Sequence, residues 1–270
     1  MKRIGLFLGI TFCLLCCNSR KNIDVVLPAY DKKLVVECYL EPGHPYQLLL
    51  TESVSYFSAP EVPRVDEAII TITHKGKTDT LKFVQIVADT VRNMFYNYMA
   101  DSSIIVPHND FEPFFLYVFD KRTNRTLTSS TVLPKFVKID TLELKFNNEP
   151  KAASIIKFQE DQTRQNFYRY IITIDHPAGN KRVDFILTDE LYKTETAAMG
   201  TNYWFESGTP LYVSFYHLTR EHYDFITSVK NAQEANSSPF AQPASIKSNV
   251  AGGLGIFTGV AVDKKVITVP

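Results

Sequence analysis

The sequence predicts a mainly β protein with a single helix. Short runs of β-branched and aromatic residues recur from residue 34 to the end of the chain, and turn-forming residues separate them. Hydrophobic residues make up 45% of the chain and include 19 Phe and 14 Tyr, which is typical of a protein with a packed core. Only residues 219–235 combine a capping residue with apolar positions at helical spacing.

Residues 31–135 contain seven strand-like runs, which predict an immunoglobulin- or fibronectin-like antiparallel β-sandwich as the N-terminal domain. The turn signals Glu41-Pro42-Gly43 and Lys75-Gly76-Lys77 each predict a hairpin between neighbouring runs. The sequence lacks the Cys…Trp…Cys core of antibody domains, so the expectation concerns architecture alone. The runs lie at residues 34–40, 46–51, 68–74, 78–87, 93–99, 114–119 and 126–133.

Residues 136–270 predict a second β-rich unit that carries the helix, with the boundary near Leu133-Pro134-Lys135. Thr219 is suited to cap the helix near 219–235, because Tyr223 and Ile226 then fall on one helical face. A glycine-rich stretch at 252–255 precedes the last run and lacks the residues of a nucleotide-binding loop. We therefore interpret it as a place of close backbone packing. Strand-like runs lie at residues 139–146, 154–158, 167–175, 182–187, 211–218 and 260–269.

The N-terminus has the pattern of a lipoprotein signal peptide over residues 1–16. Lys2 and Arg3 precede an uncharged apolar run that is too short to span a membrane as a helix. The run ends in Leu14-Leu15-Cys16-Cys17, which resembles a bacterial lipobox. We expect lipidation of Cys17, anchorage to a membrane through that lipid, and a tether over residues 17–30. The alternative is an uncleaved apolar N-terminus with incidental cysteines.

Charge and cysteine content narrow the classes of partner. The chain has 29 basic and 29 acidic residues, and removal of residues 1–16 takes away only Lys2 and Arg3, leaving 27 against 29. A near-neutral body gives no electrostatic reason to expect a nucleic-acid partner. Of the four cysteines, Cys38 alone would remain beside the lipidated Cys17, so no intramolecular disulfide is expected. Cys38 alternates with apolar neighbours and is interpreted as a buried thiol.

Candidate metal ligands are poorly spaced in the sequence. His217 and His222 are five residues apart across a predicted strand–helix junction, so they do not share a helical face; surface or capping roles are expected. Asp101, Asp110 and Glu112 lie in one polar stretch, but their order does not follow a calcium-binding loop. We expect neither a metal nor a cofactor.

Candidate catalytic and binding residues remain few. Glu160 and Asp161 are adjacent in a polar loop, whereas a glycosidase needs two carboxylates that face each other across a sugar. No zinc-protease helix, nucleophile elbow or Walker loop is present, so we expect no enzymatic activity. Tyr203, Trp204 and Phe205 lie between two glycines and are candidate contacts for a ligand or partner, with core packing as the alternative.

Several stretches carry a family resemblance, namely Cys17, residues 34–43, residues 133–140, Asn166-Phe167-Tyr168 and residues 248–257. They resemble one family of Bacteroidota lipoproteins, catalogued as domain of unknown function 4249. The family is often encoded beside TonB-dependent outer-membrane receptors, and it has no settled catalytic residues to carry over. The resemblance implies an outer-membrane location and an accessory role in receptor-mediated uptake. Surface-exported relatives often carry an acidic run after the lipidated cysteine, and here Asn18-Ser19-Arg20-Lys21 stands in its place. Both a periplasmic and a cell-surface orientation therefore stay open.

The expected function is that of an outer-membrane-anchored lipoprotein that binds a ligand or a TonB-dependent receptor. This expectation combines the lipobox, the β-rich body, the lack of catalytic motifs and the family resemblance. Two alternatives stay open. One is a glycan or peptide hydrolase whose site is assembled from scattered loops, and the other is a structural or adhesive surface module.

Overall fold

A computed structural model describes residues 31–55, 62–90, 92–148, 150–191, 195–237 and 244–270. Fifteen strands and one long helix account for most of these residues, so the mainly β prediction is confirmed. The N-terminal seven are β1 (Leu34–Leu40), β2 (Gln47–Glu52), β3 (Ala68–His74), β4 (Lys77–Asp89), β5 (Met94–Met99), β6 (Phe114–Asp120) and β7 (Arg125–Thr131). The others are β8 (Thr141–Phe146), β9 (Lys151–Gln159), β10 (Phe167–Thr173), β11 (Lys181–Thr188), β12 (Thr196–Gly200), β13 (Phe205–Glu206), β14 (Pro210–Leu218) and β15 (Leu254–Thr268).

The helix α1 (Arg220–Ser237) follows β14 after a single residue, as predicted. Its start is fixed by Thr219, whose hydroxyl accepts a hydrogen bond from the backbone N–H of His222 at 3.2 Å. Ile226 is buried on the inner face of α1, together with His222 and Ser228. The helix packs on β15 and β10, which places its first turns beside the middle of the large sheet.

Eleven strands form one sheet in the order β11-β10-β14-β15-β1-β2-β5-β4-β3-β6-β7. The predicted hairpins β1–β2, β3–β4 and β6–β7 are all present as antiparallel pairs. The strand β7 returns towards the start of β15, because Thr128 and Ala251 exchange two backbone hydrogen bonds at 2.8 and 3.2 Å. A smaller sheet pairs β9 with β8, β12 and β13.

The pairing of β1 with β15 departs from the antiparallel sandwich that we predicted for the N-terminal domain. These two strands run parallel, with Val36 opposite Gly255 and Cys38 opposite Phe257, whereas the other strand pairs of the described residues are antiparallel. A parallel pair needs a long connection, and here nearly the whole chain lies between the two strands. The run of residues 34–40 therefore neighbours both its hairpin partner and the C-terminal strand.

The predicted division at residues 135/136 has a counterpart in the core but not in the sheet. One apolar cluster is built from residues 34–133 with Val250 and Phe257, and a second is built from residues 139–269. The strand β15 joins them, since it pairs with β1 on one side and with β14 on the other. Lys32–Pro270 consequently forms one compact unit, rather than two units that meet at the predicted boundary.

The strands β10 and β14 have one face in the core and one outside it. Tyr168, Tyr170 and Phe215 point into the second apolar cluster, where Tyr168 and Phe215 meet Phe158 of the small sheet. The alternate residues of the same strands point to the opposite face of the large sheet. That opposite face carries polar and aromatic side chains, among them Arg169 and Tyr216.

Candidate functional site

A cleft of about 360 Å³ lies over the strands β1, β15, β14, β10 and β11. Its other walls are the β4–β5 turn, the β10–β11 turn and the start of α1. We call it the cross-strand cleft, because its floor is made by side chains from neighbouring strands of one sheet. The polar and aromatic residues that line it include Glu37, Tyr39, Arg169, Lys181, Tyr216 and His222. Cavities of this size accommodate small molecules or a few residues of peptide.

Strand register explains why these side chains converge. Arg169 of β10 lies opposite Tyr216 of β14, and Ile171 lies opposite Ser214, so all four project from the same face. On β1, Glu37 and Tyr39 alternate with Val36 and Cys38, which are fully buried in the first apolar cluster. The period of two along each strand thus turns the residues between core positions into the floor of the cleft.

One end of the cleft carries an excess of positive charge around Asp184. Arg169 donates two hydrogen bonds of 2.7 Å to this carboxylate, in the paired geometry that suits a guanidinium. Lys181 and Lys230 also lie 3.5 and 3.8 Å from it. Burial acts to raise the pKa of Asp184, but the hydrogen bonds from Arg169 and the charges of Arg169, Lys181 and Lys230 together outweigh burial and hold that pKa below its usual value. Three cations therefore share one carboxylate.

The other end of the cleft presents a carboxylate that lacks a cation. Glu37 accepts a hydrogen bond from the Tyr39 hydroxyl at 3.5 Å, which is the long end of the range. Among the described residues, no basic side chain lies within ion-pair distance of Glu37. Burial raises the pKa of Glu37. Glu41, which follows β1, lies 3.7 Å from Lys264, so Glu37 is the carboxylate at this end with capacity for another partner.

The imidazole of His222 lines the cleft from the start of α1. His222 is 5% exposed, and its ring centroid lies 5.3 Å from that of Tyr39. The Nδ1 atom of His222 has no hydrogen-bond partner among the described residues. Burial, followed by the nearby charge of Arg169, lowers the pKa of His222 to about 3. The ring is therefore neutral at ordinary pH and adds no charge to the cleft.

A family model described as Domain of unknown function (DUF4249) matches residues 20–266. The chain belongs to this family. The match includes the strands that form the cross-strand cleft, so the cleft is built from the DUF4249 domain itself. No match was found among curated proteins.

Among solved structures, this DUF4249 chain is similar to a segment of two fibronectin type-III domains from chicken tenascin. The identity is 9%, the TM-score is 0.22, and the alignment covers 69% of this chain and 91% of the other. Within the described part of the chain, no helix is long and apolar enough to cross a membrane.

The candidate contact residues 203–205 divide between surface and core. Phe205 lies in β13, is 2% exposed and belongs to the second apolar cluster, so it offers no surface to a ligand. Tyr203 and Trp204 are 42% and 36% exposed, and the Trp204 ring lies 6.2 Å from that of Phe185. None of the three lines the cross-strand cleft. Cys17 lies outside the described residues.

The two histidines of the strand–helix junction do not meet, and neither has a surface position. His217 is buried in β14, where its Nδ1 lies 2.6 Å from the carbonyl oxygen of Lys135, while His222 packs on Tyr39. The surface or capping roles that we predicted are therefore wrong. The cap of α1 is Thr219 instead. No group of three or more metal-binding side chains of the Asp, Glu, His and Cys types was found in the described residues.

The acidic candidates bind separate partners. Glu160 is buried and accepts a hydrogen bond from the Asn166 amide at 2.7 Å, whereas Asp161 bonds to Thr163 at 2.5 Å. Both residues line a second cavity of about 440 Å³, in which each carboxylate is held by its own partner.

The aspartates of the polar stretch at 101–112 also diverge. Asp101 binds the hydroxyl of Ser103 at 2.7 Å. Asp110 instead lies 3.0 Å from His74 and 2.6 Å from Lys75. These two carboxylates therefore stabilise turns of the chain.

Sequence reasoning missed the residues that form the charged ends of the cleft. Glu37 and Arg169 are polar residues that alternate with apolar ones in correctly predicted strands, which is the available sequence signal. That signal marks them as facing away from the core. It does not show that β1 and β10 belong to the same sheet, because the pairing of β1 with β15 joins distant parts of the chain.

Proposed function

We propose that this DUF4249 protein is a non-enzymatic binding protein that takes a small polar solute into the cross-strand cleft. The observation that carries this proposal is the cleft itself, in which an uncompensated carboxylate and an excess of cations face one cavity over an aromatic floor. Charged groups left without full compensation in a concave site are suited to bind a ligand of complementary charge.

The proposal extends to location and partner. A lipid on Cys17 would hold the body at the outer membrane, and residues 17–30 would act as the tether. The body would then present its cleft as an accessory subunit of a TonB-dependent uptake system. The lipobox-like sequence and the family resemblance support this part of the proposal. The charge balance of the body gives no competing reason to expect nucleic acid.

Replacement of the anchor residue tests the location. We expect Cys17→Ala to release the protein from the membrane fraction or to block its processing, because the attachment site of the lipid is lost. Cell fractionation and intact-mass measurement give the result. Cys13→Ala is the matched control, since Cys13 lies within the proposed signal peptide. An unchanged membrane fraction for Cys17→Ala would contradict the anchor, and extraction in mild detergent only as a monomer would contradict the receptor partnership.

Blocking the cleft tests the binding site. Full-length protein in detergent is dialysed to equilibrium against a small-molecule extract of the cells that produce it, and both sides are analysed by mass spectrometry. We expect wild-type protein to enrich at least one solute about fivefold or more, corresponding to about 1 kcal/mol of selective binding. Ser214→Phe should abolish the enrichment, because Ser214 lies on the floor of the cleft.

The control makes the same chemical change away from the cleft. Ser130 is exposed on the strand β7, so Ser130→Phe should leave the enrichment unchanged. Equal enrichment by wild type and Ser214→Phe would place binding elsewhere on the protein. A complete lack of enriched solutes with wild-type protein would contradict the proposed function.

A further inference from the structure

We propose that the cross-strand cleft binds a short peptide, with the peptide's terminal ammonium at Glu37 and its terminal carboxylate beside Arg169 and Lys181. The inference rests on the proposed function, since it takes the same cleft as the binding site and names the class of ligand.

The negative end of the cleft is suited to an ammonium group. Glu37 accepts one long hydrogen bond from Tyr39 and has no ion-pair partner among the described residues. A carboxylate that is largely removed from water gains most from a cationic partner that also donates hydrogen bonds. A primary ammonium has three donors, so it can pair with Glu37 and still contact the hydroxyl or ring of Tyr39.

The positive end of the cleft is suited to a carboxylate. Asp184 pairs with Arg169 and also contacts Lys181, so one of the two cations that line this end remains in excess. Lys181 is the cation of this group that lines the cleft beside Arg169. Burial, and the charge of Arg169, lower the pKa of Lys181, which shows that the two cations are close enough to repel each other. An anionic ligand group would relieve that repulsion.

The separation of the two ends selects the length of the ligand. Glu37 lies on β1 and Arg169 on β10, which are three strand intervals apart in the sheet. Neighbouring strands lie about 4.8 Å apart, so these intervals separate the two strands by about 14 Å. Along the strands, Glu37 lies level with Ile256 of β15, whereas Arg169 lies level with Val262, which adds about 20 Å. The side chains extend into this space from both ends. One amino acid, at about 3.5 Å per residue, is too short to join the two charged groups, whereas an extended peptide of several residues can do so.

The side chains between the negative and the positive end of the cleft are compatible with a bound peptide. Tyr216 and Ser214 contribute hydroxyl groups, and Ile171 contributes an apolar surface between the charged ends. Because His222 is neutral, it does not compete with the ligand's ammonium for Glu37. A simple amine would use only Glu37 and a simple anion only the Lys181 end, so a molecule with both charges matches the cleft better.

Terminal blocking of one peptide tests the proposal by isothermal titration calorimetry on the full-length protein in detergent. The probes are tetra-alanine, N-acetyl tetra-alanine, tetra-alanine amide and the doubly blocked peptide. We expect free tetra-alanine to bind at least about tenfold more tightly than either singly blocked form. Such a factor corresponds to the loss of one charge-assisted contact, about 1.4 kcal/mol. The doubly blocked form should bind most weakly.

Variants assign each terminus to its end of the cleft. Glu37→Gln should remove the preference for a free ammonium and leave the preference for a free carboxylate. Lys181→Gln should have the opposite pattern. Glu206→Gln and Lys121→Gln are the matched controls, because both side chains are exposed outside the cleft, and each should bind as wild type does.

The outcomes separate this inference from the function on which it rests. Equal binding of free and doubly blocked tetra-alanine would overturn the assignment of the termini. If no tetra-alanine form binds while the dialysis experiment shows a solute that Ser214→Phe loses, the peptide inference is overturned and the proposed function stands. If the dialysis also shows no solute, both fail.

Discussion

Replacing Gly255 with alanine is expected to lower the free energy of unfolding by about 4 kcal/mol or more. Gly255 lies in β15 with a φ of +113°, a conformation that L residues rarely adopt. A Cβ at this position would overlap the carbonyl oxygen of Val36, which belongs to the neighbouring strand β1. The parallel pair would therefore have to separate, and this pair joins the two halves of the sheet.

The matched control separates backbone conformation from overlap. Gly76 also has a positive φ, +75°, but a Cβ there would meet nothing within 4 Å. Gly76→Ala should consequently cost only the conformational strain, about 1 kcal/mol. Urea unfolding monitored by circular dichroism measures both variants. A loss of stability in Gly255→Ala that is no larger than the loss in Gly76→Ala would contradict the proposed role of close strand packing.

Much of the local structure could be predicted from the sequence because local chemistry determines it. The run of residues 34–40 is rich in β-branched and aromatic residues and ends at a Pro-Gly turn, and it forms β1 with the predicted bounds. Thr219 provides a strong start signal, and α1 begins immediately after it. The strand β12 was missed, because Thr196–Gly200 contains two alanines and a glycine and so lacks a β-forming pattern.

The cleft could not be predicted because it depends on which distant strands become neighbours. The alternation of polar and apolar residues showed that Glu37 and Arg169 face away from the core. It did not show that their two strands belong to the same sheet. That relation requires the parallel pairing of β1 with β15, to which the glycines at 252–255 contribute. Our interpretation of these glycines as a place of close backbone packing agrees with the approach of Gly255 to Val36.

Acidification is expected to destabilise the fold through His222. Its pKa is about 3 in the folded protein, because the ring is buried and lies near the charge of Arg169, while an unfolded histidine titrates near 6.5. Between these values the unfolded chain binds the proton and the folded protein does not. Stability therefore falls as the pH decreases from about 6.5 towards 3, with a limiting slope of about 1.4 kcal/mol per pH unit from this one group.

A variant without the titrating ring isolates this contribution. His222→Phe keeps an aromatic ring beside Tyr39, so the slope of unfolding free energy against pH between about 6.5 and 5 should become flatter than in wild type. Urea unfolding at several pH values within that window measures the slope, above the range in which most carboxylates titrate. His176→Gln should leave the slope unchanged, because His176 is exposed. Parallel slopes for wild type and His222→Phe would show that His222 is protonated in the folded protein, and the cleft would then carry an additional positive charge beside Tyr39.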